Sequence, residues 1–142
     1  ITAAADLAGS QAIVVSLDVA RNADGRQRVT ARSGAVWTDL DPVEHAQRVE
    51  KLGAGEILLM SVEREGTFEG YDLDLIRAVS SAVHIPVIAC GGAGTRHDLR
   101  KAIVEGGASA AAGLVIGTAL KMARRLKPDA AAITTRGVRV YR

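Results

Sequence analysis

The stretch that decides the fold is Ile85-Pro86-Val87-Ile88-Ala89-Cys90-Gly91-Gly92-Ala93-Gly94-Thr95, an apolar run that breaks into glycine and then into a helix start. The apolar half is typical of a buried parallel strand. Because Gly91, Gly92 and Gly94 carry no Cβ, their backbone N–H groups can point at one spot beyond the strand end, and Thr95 is placed to cap the following helix. Such a spot is an anion site, most often for phosphate. A plain tight strand-to-helix turn is the alternative.

Length and composition favour one α/β domain. The 142 residues are 48% hydrophobic but only 3% aromatic, so the core must consist of Val, Ile, Leu and Ala, which suits parallel strands covered by helices. The single cysteine, Cys90, excludes an internal disulfide and a cysteine-based zinc site and favours a cytoplasmic location. No apolar run approaches the roughly 20 residues that span a bilayer, and the first residues lack the basic region of a signal peptide, so no membrane association is expected.

The charged and metal-binding residue types offer little specific chemistry. The net charge is only +2, and the Lys and Arg residues are spread along the chain apart from a cluster at Lys121–Lys127, which we interpret as a solvated helix face rather than a nucleic-acid patch. His45, His84 and His97 have no partner of ligand type at i+4, so neither a metal nor another cofactor is expected. Cys90 has no nearby base and is interpreted as a packing residue.

Four strand–helix units follow one another after a short helix that Gly9 closes. Three helix starts carry capping residues, namely Asp41 followed by Pro42 and Glu44, Asp72, and Thr95. The predicted strands are Ala12–Asp18, Gly55–Val62, Ile85–Cys90 and Ser109–Ile116, and the predicted helices are Asp41–Leu52, Asp72–His84, Arg96–Glu105 and Thr118–Leu126. The pattern places Leu52 in the buried stripe of the first of these helices and Ile103 on the inward face of the third.

Repeated strand–helix units indicate either an open doubly wound sheet or part of a (β/α)₈ barrel. A whole barrel needs about 250 residues, so 142 residues predict a (βα)₄ half of a TIM-type barrel, with parallel strands and outer helices. Residues 1–142 would then form a single half-barrel domain. Residues 19–39, which contain the turn dipeptide Asp24-Gly25, predict an inserted loop or hairpin after the first strand.

Four motifs in order carry a family resemblance. They are Gly9-Ser10-Gln11-Ala12-Ile13-Val14-Val15-Ser16-Leu17-Asp18, Gly53-Ala54-Gly55-Glu56-Ile57-Leu58-Leu59, Gly66-Thr67 with Gly70-Tyr71-Asp72, and Pro86-Val87-Ile88-Ala89-Cys90-Gly91-Gly92-Ala93-Gly94. From residue 1 to about residue 113 the chain closely resembles the C-terminal half of the cyclase subunit of imidazole glycerol phosphate synthase. That family is a (β/α)₈ barrel of histidine biosynthesis that receives ammonia from a glutaminase partner and closes the imidazole ring of a bis-phosphorylated ribonucleotide.

The resemblance implies roles for individual residues. Asp18 matches one of two catalytic aspartates that act as acid and base, a role that suits a partly enclosed carboxylate, although a capping role is the alternative. Glu56 matches part of a charged ammonia gate, although it could be an ordinary strand start. The residues expected to bind substrate or phosphate are Gly91, Gly92, Gly94, Gly66, Thr67 and Ser61.

The chain also departs from the family pattern. Met60 stands where the family usually has Thr, and Glu63 and Glu65 stand where it has Asp. At the end of the fourth strand, Gly113-Leu114-Val115-Ile116-Gly117 offers no hydroxyl until Thr118, where the family has a Ser that completes the phosphate site. Residues 114–142 form a divergent segment. Two functions therefore stay open: a carbon–nitrogen lyase of the cyclase type, or a non-catalytic phosphate-binding or protein-interaction module derived from that barrel.

A half-barrel alone exposes unpaired parallel edges and an open apolar interior. We therefore expect a homodimer that rebuilds an eight-stranded barrel and sets the two copies of Asp18 opposite each other. A glutaminase subunit is a further expected partner. The alternating tail Ile133–Tyr141 could add a strand to a partner.

Overall fold

A six-stranded sheet forms the centre of the chain in the computed structural model, which describes residues 1–111. The strands are β1 (Val14–Arg21), β2 (Gln27–Ala31), β3 (Val36–Trp37), β4 (Glu56–Ser61), β5 (Val87–Cys90) and β6 (Ala110–Ala111). Their order is β3-β2-β1-β4-β5-β6, in which β1, β4, β5 and β6 run parallel. Strands β2 and β3 extend the sheet as an antiparallel hairpin. This mostly parallel α/β arrangement is consistent with part of a TIM-type barrel, as the sequence predicted.

Within residues 1–111, four α-helices accompany the strands: α1 (Thr2–Ala8), α2 (Pro42–Lys51), α3 (Leu73–Ser80) and α4 (Arg96–Val104). The last three begin at the predicted capping residues. The Asp41 carboxylate accepts the N–H of Val43 at 2.9 Å, and the Asp72 carboxylate accepts the N–H of Leu75 at 3.1 Å. These bonds satisfy N–H groups that have no partner inside the first turn of a helix.

The sheet has one buried and one open face, because side chains alternate along each strand. The buried set packs against the helices and is at most 2% exposed; it comprises Leu17, Val19, Ile57, Leu59, Val87 and Ala89. The opposite set is only partly covered within residues 1–111; it comprises Val14, Ser16, Asp18, Glu56, Leu58, Met60, Ile88 and Cys90. Val14 on this open face is 53% exposed. A barrel interior would have this mixed, incompletely shielded character.

One edge of β1 is only half occupied. Strand β2 pairs with β1 from Asp18 to Arg21, whereas β4 pairs with the other edge from Val14 to Val19. Residues 14–17 of β1 therefore lack a second partner strand in the described part of the chain.

Asp72 ties the β2–β3 hairpin to the rest of the structure. Its Oδ2 atom lies 3.3 Å from the Arg21 guanidinium and accepts a hydrogen bond from the Gln27 side chain at 3.0 Å. The backbone N–H of Arg21 donates to the Glu63 carboxylate at 2.9 Å. The segment 19–39 is thus held against the loop that follows β4 as well as against the sheet.

Three details of the predicted packing were wrong. Leu52 was expected in the buried stripe of α2, but it follows the last helical turn and is 40% exposed. Ile103 was expected to face inward, but it lies on a flank of α4 that no described element covers and is 44% exposed. Helix α3 ends at Ser80 rather than near His84, because Ser81 already takes the C-cap position.

Several predictions lie outside the described residues. These are the continuation of the fourth strand beyond Ala111, the helix Thr118–Leu126, the cluster Lys121–Lys127, the divergent segment 114–142 and the tail Ile133–Tyr141.

His45 on α2 makes the stability of the fold depend on pH. Its Nδ1 atom is buried and has no hydrogen-bond partner among residues 1–111. Burial and, secondarily, the positive charge of Arg48 lower the pKa of His45 below its ordinary value of 6.5. The unfolded chain therefore takes up this proton before the folded chain does. As a result, the free energy of unfolding falls as the pH drops below about 6.5, and the loss is complete once the pH is below the folded pKa.

We expect the urea midpoint to be lower at pH 5.5 than at pH 7.5, and His45→Phe to reduce that difference. His84 offers a control because its 3.5 Å contact with Glu50 involves a 97% exposed imidazole and contributes little to stability. His84→Gln should therefore keep most of the wild-type pH dependence. An equal loss of stability at pH 5.5 in the His45→Phe variant would contradict this prediction.

Candidate functional site

Asp18, Met60 and Cys90 form one row on the open face of the sheet. The register pairs Asp18 with Met60 and Met60 with Cys90 across three parallel strands. The Asp18 carboxylate accepts a hydrogen bond at 3.2 Å from the hydroxyl of Ser16, which lies two residues earlier in β1 on the same face. Asp18 is half-buried and keeps access to the open face. Its side chain can therefore contact a group that lies on that face.

A cavity of about 160 Å³ lies beside this row. It is lined by Asp18, Ser33, Met60, Val62 and Glu65. Two of the lining residues are carboxylates and none is basic. The cavity therefore favours groups that donate hydrogen bonds, such as amines, and disfavours a phosphate.

Cys90 is a poor nucleophile in this setting. Burial first, and then the negative charge of Glu65, raise the pKa of the Cys90 thiol above 9.0, while the Gly91 N–H partly opposes the shift. The thiol therefore stays protonated near neutral pH, as its interpretation as a packing residue requires.

The glycine turn after β5 lies beneath the loop that follows β4. The N–H of Gly70 donates to the carbonyl of Gly92 at 2.7 Å. A Cβ on Gly92 would lie 2.2 Å from the Gly70 carbonyl oxygen, and one on Gly94 would lie 2.2 Å from the Phe68 carbonyl oxygen. Gly92 also has a φ of 95°, which side chains rarely allow. The approach of the neighbouring loop therefore requires glycine here whether or not a ligand binds.

Part of the turn is already occupied by Asp98. One Asp98 oxygen accepts the N–H of Gly94 at 3.1 Å, the N–H of Thr95 at 2.7 Å and the Thr95 hydroxyl at 2.8 Å. Burial raises the pKa of the Asp98 carboxyl, but these hydrogen bonds outweigh burial and lower it overall. Thr95 is the helix cap that the sequence predicted, in a capping box. Among residues 1–111, the N–H groups of Gly92 and Ala93 donate to no acceptor.

The remaining predicted site residues do not lie beside Asp18 on the open face at the same height along the strands. Gly66 is exposed with a φ of 76°, and the Thr67 hydroxyl donates to the Arg64 carbonyl at 2.9 Å, within the same loop. Ser61 is 6% exposed and belongs to the alternating set that faces the helices rather than to the Asp18 row. Glu56 shares the open face with Asp18 but begins β4, four residues and about 13 Å along the strand from the level of Asp18.

The structure thus brings Asp18 and the turn Gly91–Gly94 to the same end of the sheet, the end at which the parallel strands finish. Gly66 and Thr67 belong to the loop at this end, and Glu56 lies at the other end. In the described part of the chain, no three His, Cys, Asp or Glu residues are grouped to hold a metal ion. Within that part, no helix is long and apolar enough to cross a bilayer.

Comparison with known proteins now defines the family. The profile of the family described as histidine biosynthesis protein matches residues 1–124. The chain belongs to this family. It is 54% identical over 103 residues to the imidazole glycerol phosphate synthase subunit HisF of Alkaliphilus metalliredigens. The same-named subunits of Chlorobium limicola and Chlorobaculum tepidum are 53% and 50% identical over 103 residues.

These matches cover 72% of this chain but 41% of each relative. The chain therefore spans less than half the length of the histidine biosynthesis proteins that it matches. The resemblance predicted from the four motifs is confirmed at the level of the family.

Sequence reasoning missed two residues at this end of the sheet. Arg64 lies between Glu63 and Glu65 and was not singled out, because nothing in the sequence shows that its side chain contacts the Gly70 carbonyl. Asp98 had a readable signal, since Thr95 is followed three residues later by a carboxylate, as in a capping box.

Proposed function

We propose that this chain is a cyclase-type part of imidazole glycerol phosphate synthase, a carbon–nitrogen lyase that uses ammonia to close the imidazole ring of a phosphoribosyl substrate. The observation that carries the proposal is that Asp18 and the Gly91–Gly94 turn lie at the same end of the parallel strands. An acid–base carboxylate and a phosphate-binding turn can act on one substrate only if they lie at the same end, as in TIM barrels. The identity to HisF subunits supports the choice of reaction.

Asp18 acts as the acid–base group in this proposal. The N–H groups of Gly92 and Ala93, which have no acceptor within residues 1–111, hold a phosphate. Gly91 sets the turn, and Gly66 and Thr67 supply the loop beside the substrate. Gly94 contributes through shape, because its N–H is engaged by Asp98. Ser61 contributes through its backbone, and Glu56 belongs to an ammonia entrance at the far end, fed by a glutaminase subunit.

A half-barrel that pairs with a second copy completes the proposal. The open face carries Leu58, Met60 and Ile88 only partly buried, and residues 14–17 of β1 have an unoccupied edge within residues 1–111. A two-fold dimer would cover both features and set the two Asp18 carboxylates across one cavity.

The alternative is a phosphate-binding or protein-interaction module without turnover. The carboxylate of Asp98 in the turn and the apolar Met60 beside Asp18 favour it, since both reduce the polar contacts available to a substrate.

The two functions are separated by assaying the full chain with the bis-phosphorylated ribonucleotide and ammonium, and by measuring its mass by light scattering at micromolar concentration. Turnover by a dimer is the expected result. Phosphate binding without turnover would support the module, and a monomer would rule out the rebuilt barrel.

A further inference from the structure

Arg64 is the central residue of the loop that covers the glycine turn. Its backbone N–H donates to the Ser61 carbonyl at 3.2 Å, and its own carbonyl accepts the N–H of Thr67 at 3.1 Å. Its guanidinium Nη1 donates to the Gly70 carbonyl at 3.1 Å. Since the Gly70 N–H donates to Gly92, the side chain of Arg64 reaches the glycine turn through a single intervening residue.

The stem of the Arg64 side chain also lies close to the turn. A Cβ on Gly92 would be 3.0 Å from the Cβ of Arg64 and 2.2 Å from the Gly70 oxygen, the atom that the guanidinium contacts. The Arg64 side chain therefore lies alongside Gly92, whose N–H group, like that of Ala93, donates to no acceptor among residues 1–111.

No carboxylate oxygen lies within 4.0 Å of the Arg64 guanidinium in the described part of the chain. The ion pairs there involve Arg21, Arg77 and His84, and Arg64 is in none of them. A half-buried guanidinium has five N–H donors, and within residues 1–111 the Gly70 backbone carbonyl is the one acceptor that this side chain reaches. A partly desolvated positive charge without an ion-pair partner is stabilised by an anion.

We propose that Arg64 supplies the positive charge of the phosphate site and is thus a binding residue for the phosphate of the substrate. This inference rests on the proposed function, which assigns the phosphate to Gly92 and Ala93. It explains how a phosphate dianion could be held beside the Asp18–Glu65 cavity, whose own charges would repel it. The forked guanidinium also favours phosphate over a monovalent halide, because two oxygens can be contacted at once.

The test is a calorimetric titration of the full-length chain with inorganic phosphate, carried out at two ionic strengths. We expect Arg64→Gln to weaken binding about tenfold or more and to reduce the loss of affinity with added salt. Arg64→Lys keeps the charge but loses the fork, so it should weaken binding less than Arg64→Gln does. Arg100→Gln removes a positive charge from the exposed side of α4 and should change binding less than twofold.

Each outcome has one meaning. Equal binding by wild type and Arg64→Gln would overturn the role of Arg64 and leave the proposed phosphate site standing. Equal weakening in Arg64→Lys and Arg64→Gln would overturn the role of charge, since only the hydrogen bonding to Gly70 would then matter. A wild-type chain that binds no phosphate would reject the phosphate site of the proposed function itself, and Arg64 with it.

Discussion

Replacing Gly92 by alanine is expected to destabilise the fold by about 3 kcal/mol or more. The new Cβ would lie 2.2 Å from the Gly70 carbonyl oxygen and 3.0 Å from the Arg64 side chain, and the φ of 95° is itself costly for a residue with a Cβ. The loop would have to move away, which breaks the 2.7 Å bond from Gly70 to Gly92. Urea unfolding followed by circular dichroism measures this loss.

Gly25 gives a matched control for the backbone term. It has a φ of 74° in the hairpin turn, but a Cβ there would meet no atom within 4 Å. Gly25→Ala should therefore cost only about 1 kcal/mol, from the left-handed conformation alone. If both variants lost the same stability, close packing of the loop on the turn would be the wrong explanation.

Asp18→Asn is expected to lower turnover about a thousandfold if the chain is a cyclase. The amide keeps the size of the carboxylate and can still accept from the Ser16 hydroxyl, but it cannot take up and return a proton at neutral pH. Since Asp18 is only half-buried, we expect stability to change by less than about 0.5 kcal/mol. Initial rates with ammonium as the nitrogen source measure the effect.

Asp74 serves as the control, because its side chain is 87% exposed on α3, on the helix side of the sheet. Asp74→Asn should leave the rate unchanged. Mixing wild type with excess Asp18→Asn adds a sharper test. If two copies share one site, the rate per wild-type chain falls, and if it stays constant, each copy works alone.

The sequence was sufficient for the strand–helix order and the helix starts. The capping residues Asp41, Asp72 and Thr95 act within four residues of themselves, so their effect can be read locally. The placement of Asp18 and the glycine turn at one end of the sheet also followed, because parallel strands end on the same side.

The sequence was insufficient where the outcome depends on contacts between distant segments. The clash that demands glycine at position 92 comes from Gly70, and the partner of Arg64 is a backbone carbonyl, which no side-chain pattern announces. Exposure at the ends of helices was also misjudged for Leu52 and Ile103, since periodicity indicates a face but not whether a neighbour covers it.

The β2–β3 hairpin limits which strand can extend the sheet beyond β1. It occupies the edge of β1 from Asp18 onward, so an incoming strand has only residues 14–17 with which to pair. Because shifting a strand by one residue reverses its two faces, so short a docking length leaves few permitted alignments. The hairpin would thus limit the register in which any added strand pairs with β1. Lengthening or deleting the hairpin should change how chains assemble more than it changes the fold of one chain.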